Sequence, residues 1–153
     1  MIKKTSIFPS NIIEKSIRKY SIKSNGSLDL IGASTYIRNN DKFFYGKENN
    51  NSIQITRIKY PFENILPKII IIFNKEDYKN YNIRLGYLSI ILFSCFLAFI
   101  FLLISLFIYQ NRFDIDDILW PFSLLFAFFG LSYLEYNLTL KKLNYILEKE
   151  LKK

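Results

Sequence analysis

Histidine is absent from the 153-residue sequence, and cysteine occurs once, as Cys95. The first absence removes the Ser-His-Asp and Cys-His arrangements of nucleophilic catalysis and every histidine-containing zinc site. The second removes internal disulfides, thiolate clusters and paired redox cysteines, leaving Cys95 the default role of a small apolar side chain. Five glycines and four prolines include no glycine-rich phosphate loop and no dinucleotide fingerprint. No catalytic residue, cofactor site or metal site is therefore expected. Asp114, Asp116 and Asp117 are clustered carboxylates of the kind hard cations favour, but a short loop keeps them solvated.

Charge is missing from a long stretch as well. Residues 88–109, LSIILFSCFLAFIFLLISLFIY, contain no charged residue. As a helix this stretch measures about 33 Å, which matches a hydrocarbon core of about 30 Å, so it is expected to span a membrane. A second apolar run at 118–134, ILWPFSLLFAFFGLSYL, sits at the short end of the spanning range and is followed at once by Glu135. Pro121 is assigned to its first turn, with Trp120 and Tyr133 near its ends at headgroup depth. Two spans are expected, with a re-entrant or interfacial helix as the alternative for the second. The want of intramembrane charges disfavours a transporter or channel. Ser94, Ala98 and Ser105 in the first run, and Ala127 and Gly130 in the second, are candidates for close helix packing.

The net charge of +8 is unevenly placed. Up to Tyr87 fifteen Lys and Arg face seven Asp and Glu; the loop 110–117 is net −2, and residues 135–153 are net +2. Basic segments thus flank the two runs and an acidic loop separates them. The positive-inside rule then gives a multi-pass protein of the inner membrane with both termini cytoplasmic and the short loop outside. Attraction to an anionic leaflet accounts for the basic balance without nucleic acid, since the basic residues alternate with apolar strand positions and form no tract. Abundant Asn, Lys, Ile and Phe fit an AT-rich bacterial genome.

Along the chain, Ile13, Ile17 and Tyr20 share one helical face of SNIIEKSIRKY, with Ser10 or Asn11 as the cap. Residues 1–23 are accordingly a short amphipathic helix or an irregular arm. Residues 24–87 read as a cytoplasmic β domain of four or five antiparallel strands. Its signals include Leu28 and Leu30, Tyr36 and Ile37, Phe43 to Tyr45, Ile53 and Ile55, the run IIIIF at 69–73, and Tyr81, Ile83 and Leu85. Within it, YPFENILPK at 60–68 is bracketed by Pro61 and Pro67 and offers Phe62, Ile65 and Leu66 as an apolar contact surface. Two readings stand: a connection plugging the open side of the sheet, or a binding loop. After the second run, Tyr136, Leu140, Leu143, Leu147 and Leu151 line one face of an amphipathic helix over 135–153. That stripe packs on the β domain, pairs with a copy of itself, or lies on the inner leaflet. The expected fold is thus an α+β membrane protein: a small antiparallel β domain, a two-helix transmembrane hairpin over 88–109 and 118–134, and a C-terminal amphipathic helix.

Gly46 opening a strand, the NILP segment at 64–67 and the following strand at 68–73 resemble, in that order, small membrane proteins of the Bacteroidetes. These carry an NSFLP-like segment between strands and then hydrophobic helices. Asn74 stands where those proteins have a glycine after the second strand. The resemblance implies a β-rich segment ahead of membrane helices and no activity.

Three functional classes fit these observations. The first is a membrane-anchored, non-enzymatic interaction or accessory module, acting through a lipid surface, a protein partner or self-association, with no small-molecule substrate. The second is a structural or regulatory subunit of a larger membrane complex. The third is an immunity-like protein against a membrane-active toxin. An enzyme has the least support.

Overall fold

The computed structural model describes residues 1–29, 41–109 and 115–152. Its centre is an antiparallel meander of β3 (Phe44–Glu48), β4 (Ser52–Arg57), β5 (Ile69–Asn74) and β6 (Asn80–Leu85). In register, Ile55 stands opposite Ile71, and Ile71 opposite Ile83. These three carry one face of the sheet inward. The uninterrupted isoleucines of β5 follow from its central position: Ile69, Ile71 and Phe73 enter the main core while Ile70 packs with Leu28 and Tyr45 on the opposite face. A strand buried on both faces has no need to alternate.

The two edges of the sheet come from the start of the chain. β1 (Ile2–Thr5) pairs antiparallel with β6, and β2 (Ser21–Lys23) pairs parallel with β3, giving the order β1-β6-β5-β4-β3-β2. The small antiparallel sheet expected from the sequence is therefore corrected to a mixed sheet, of six strands among the described residues. Between its edges lies α1 (Ser10–Tyr20), which is about 16 Å long against about 24 Å for five inter-strand spacings. It is entered through Pro9, whose carbonyl accepts from the amides of Ile12 and Ile13, and not through a capping side chain. Ile13, Ile17 and Tyr20 are buried against the sheet. At the β2 edge, a Cβ on Gly46 would come within 3.1 Å of the Ser21 Cβ, so the absent side chain lets the parallel pair close.

Two helices follow. α2 (Tyr87–Tyr109) starts one residue after the end of β6, and α3 (Ile115–Leu151) runs for 37 residues, about 55 Å. The second apolar run and the C-terminal amphipathic segment are thus one continuous helix, in which Pro121 is internal and not part of the first turn. The C-terminal half of α3 joins α1 on the sheet, burying Leu143, Ile146 and Leu147.

This arrangement overturns the two-helix transmembrane hairpin. Among the described residues only α2 is long and apolar enough to cross a membrane, over Tyr87–Phe107 with 6% of it buried. In α3 the apolar run reaches only residue 134, short of the about 20 residues a span requires, before Glu135 enters the folded domain. The multi-pass topology with both termini cytoplasmic falls with it, because it depended on a second crossing. The loop 110–114 with Asp114, the side chains of Asp116 and Asp117, and the strand signals at Leu30, Tyr36 and Ile37 lie outside the described residues.

Candidate functional site

Three elements meet where the helices leave the sheet. The 3₁₀ turn Pro61–Ile65 follows β4, the chain re-enters the sheet at β5, and α2 rises from β6. Buried charges hold this junction together. Arg57, at the end of β4, gives two hydrogen bonds to Glu135: Nε to Oε1 at 3.2 Å and Nη2 to Oε2 at 2.6 Å. Its Nη1 also donates to both carboxylate oxygens of Glu63, at 3.0 and 2.9 Å. Glu135 is fully buried and also accepts from Thr139 Oγ1 at 3.2 Å. A carboxylate so placed is tolerated because a planar, bidentate guanidinium faces it. Glu63 in turn accepts from the Tyr60 amide at 2.9 Å, fixing the start of the 3₁₀ turn.

Beside this group, Lys59 Nζ donates to the carbonyls of Leu66 and Pro67 at 2.6 and 3.1 Å and lies 3.8 Å from Glu135 Oε1. Burial brings its ammonium down to about 8, with Glu135 opposing and Arg57 and Lys68 adding to the fall. A second cluster fixes the foot of α2. Asp29 accepts from Arg84 Nη1 and Nη2 at 3.1 and 2.9 Å and from the Tyr87 amide at 2.7 Å. The Arg84 guanidinium holds the Asp29 carboxyl below its ordinary range against the opposing effect of burial, and the Tyr87 amide adds to the lowering. Lys68 Nζ donates to the carbonyls of Leu28 and Asp29 at 2.9 and 3.2 Å, while the Lys68 amide donates to Ser89 Oγ at 3.1 Å. Gly86 makes this crowding feasible: a Cβ there would meet Lys68 Cβ at 3.2 Å and Asp29 Oδ1 at 3.4 Å.

Above the two clusters a cleft of about 830 Å³ opens between α2, α3 and the segment 64–68. Its inner end is bounded by Asp29, Lys59, Lys68 and Ser89, and its walls by Leu92, Phe93, Phe96, Leu124, Phe128 and Leu131. The helices touch through aromatic rings, with Phe93 stacked on Phe128 at 4.8 Å between centroids and edge-on to Phe129 at 5.5 Å. A volume in the range of about 300–1,000 Å³, apolar walls and a few convergent polar groups are what ligand sites share.

The structure separates the residues singled out from the sequence. Phe62 and Ile65 are 79% and 76% exposed, and the 3₁₀ turn buries none of its residues, so it does not plug the sheet. Leu66 is half-buried and lines the cleft with Ile65. Of the C-terminal stripe, Leu143 and Leu147 are buried, Leu140 packs at the core margin, and Leu151 is 55% exposed. The stripe is thus spent largely on the protein's own sheet. Ser94, Ala98, Ser105, Ala127 and Gly130 all face outward, as does Cys95. Ala127 borders the cleft, and nothing lies within 4 Å of where a Gly130 Cβ would stand. The Ser105 hydroxyl donates back to the Phe101 carbonyl of its own helix at 2.8 Å.

Sequence reasoning missed Arg57, Lys59, Lys68, Asp29, Arg84 and Glu135 as a group. Glu135, a charge interrupting a helix that stays apolar on one face, was the available signal; its partner lies 78 residues away. Among the described residues no group of three His, Cys, Asp or Glu is placed to hold a metal. Comparison of the chain with protein-family models, curated proteins and solved structures yields no match.

Proposed function

We propose that the protein is a non-enzymatic module that carries a folded α+β domain on a membrane through α2 and acts by contact. One observation carries the reading: α2 is apolar throughout yet almost entirely unburied by the rest of the protein. An apolar surface of this extent is costly in water and favourable in lipid. The neighbouring exposed rings support it. Tyr60 and Phe62 stack at 5.9 Å between centroids, and Tyr87 at the start of α2 carries Arg84 over its face at 4.4 Å. Aromatic and cationic side chains at the foot of an inserted helix suit the headgroup layer. In that setting Phe62 and Ile65 form a contact surface at the membrane boundary, open to lipid or to a protein partner.

The test is retention in membranes of the full chain and of Phe99→Arg, which puts a charge on the exposed middle of α2. A cation at mid-span costs about 2.5–3.5 kcal/mol, so the variant should resist alkaline extraction about a hundredfold less well. Recovery of the unaltered chain as a monomer without detergent would reject the proposal.

A further inference from the structure

We infer that the connection between β4 and β5 is a second lipid contact, a preformed wedge that places Phe62 and Ile65 in the headgroup layer beside α2. The inference rests on the membrane reading and names the partner of a surface which that reading leaves open to lipid or protein. Position is the first support. The Lys68 amide donates to Ser89 Oγ at 3.1 Å and the Gly86 amide to the Lys68 carbonyl at 2.7 Å, so the end of the connection is fastened to the first turn of α2. Ile65 stands three residues before Lys68, and three residues reach about 11 Å at full extension. Ile65 and Leu66 border the same cleft as Leu92 and Phe96, which sets the connection alongside the lower turns of α2. A helix that enters lipid at Tyr87 therefore brings this connection to the lipid surface.

Chemistry and shape are the other supports. From Tyr60 to Pro67 the only charged side chain is Glu63, and Arg57 holds both of its oxygens. What the connection presents is Phe62 at 79% exposure, Ile65 at 76% and Tyr60 at 53%. Charges are what set register against a particular protein, whereas uncharged rings and aliphatic groups enter the headgroup layer on their chemistry alone. The shape is held from within. The Tyr60 amide donates to the Glu63 carboxylate at 2.9 Å and the Leu66 amide to the Glu63 carbonyl at 3.0 Å, while Lys59 Nζ holds the carbonyls of Leu66 and Pro67. Pro61 and Pro67 fix φ at two further points. Folding has already ordered the connection, so insertion orders little more. A helix alone leaves its domain free to swivel about the helix axis; a wedge standing off that axis stops the rotation.

Tryptophan fluorescence of the full chain in phosphatidylcholine vesicles tests this. Trp120 is the only native tryptophan, so Trp120→Phe supplies a silent background. Into it go Phe62→Trp, at the tip, and Asn50→Trp, at an exposed site in the turn between β3 and β4. That turn lies at the end of the sheet opposite Arg57 and Leu85, about 20 Å away. It controls for the affinity of tryptophan itself for the interface. Lipids spin-labelled at headgroup level should quench the Phe62→Trp chain about threefold more than the Asn50→Trp chain, and more than lipids labelled at the end of the acyl chain do. Equal quenching of the two variants overturns the wedge. Vesicle flotation separates the two layers of inference: chains that float yet show equal quenching keep the membrane proposal and leave the tip to a protein partner. A chain that does not float loses both.

Discussion

The two halves of α3 are built from similar apolar residues and meet opposite surroundings. Before Glu135, Phe126 points outward, Leu124 borders the cleft and Phe129 meets Phe93 of α2; after it, Leu143, Ile146 and Leu147 are sealed beneath the sheet and α1. Charge marks the difference in the sequence: residues 118–134 carry none, whereas Lys141, Lys142, Glu148, Lys149 and Glu150 interrupt the second half. Glu135 is the boundary, because its bond to Arg57 is the point at which the helix stops following α2 and becomes part of the domain core. A hydrophobic run thus reports that water is excluded without saying by what, and the polar residue at its end carries the rest of the information.

The difference is broken most severely by removing the second half. A chain truncated after Glu135 uncovers Tyr20, Ile55 and Phe73 together and should lose cooperative unfolding altogether, as read by circular dichroism during denaturation in detergent. Glu135→Ala leaves Arg57 with only Glu63 and should lower the stability of the domain by about 3–5 kcal/mol, measured by the same unfolding curve. Next comes a paired substitution across the boundary. Leu147→Ala should cost about 2–5 kcal/mol, whereas Phe126→Ala, on the outward half, should stay within about 0.5 kcal/mol in detergent. Equal effects would abolish the distinction between the halves.

The smallest expected effects are those of pH, and they run in opposite directions at the two ends of the scale. Lys59 falls from 10.5 to about 8 on folding, so between those values the unfolded chain holds a proton that the folded chain has lost. Stability from this group therefore rises as pH climbs from about 8 towards 10.5, and Lys59→Met should flatten that limb. Glu150, clasped by Lys19 at 2.7 Å and Lys15 at 2.9 Å, is drawn down to about 2. Its contribution is complete above about 4.5 and lost as pH falls towards 2, and Glu150→Gln should remove that acid limb. Both are read as unfolding midpoints across pH.

Local patterns made part of this structure legible. The Ile13, Ile17 and Tyr20 spacing marks α1, the alternations Ile53, Ile55 and Tyr81, Ile83, Leu85 mark β4 and β6, and the isoleucine run marks β5, because each pattern matches the faces its element buries. The edge strands were not legible. IKKT and SIK are short and half-polar, and only the waiting edges of β6 and β3 make them strands. Continuity of α3 was legible only as one alternative, a helix from Glu135 that extends the second apolar run: Glu135 also looks like the end of an apolar segment until Arg57, far away in sequence, supplies its counter-charge. The candidate cleft was legible only in outline. Leu66 and Ala127 were singled out for other reasons, while Lys59, Lys68 and Asp29 depend on two connections, β4–β5 and β2–β3, converging.

The sheet also has an order of manufacture. Its two outer strands are synthesised within the first 23 residues, yet the partner of β1 ends at Leu85 and the helix that roofs the core ends at Leu151. Between those two events the ribosome delivers all of α2. The domain therefore cannot be finished before its most water-averse helix has already emerged, and pairings of long sequence separation form slowly. Maturation of the domain must wait for α2 to find its own surroundings, so a fault in delivering that helix would reach the cell first as a failure of the sheet.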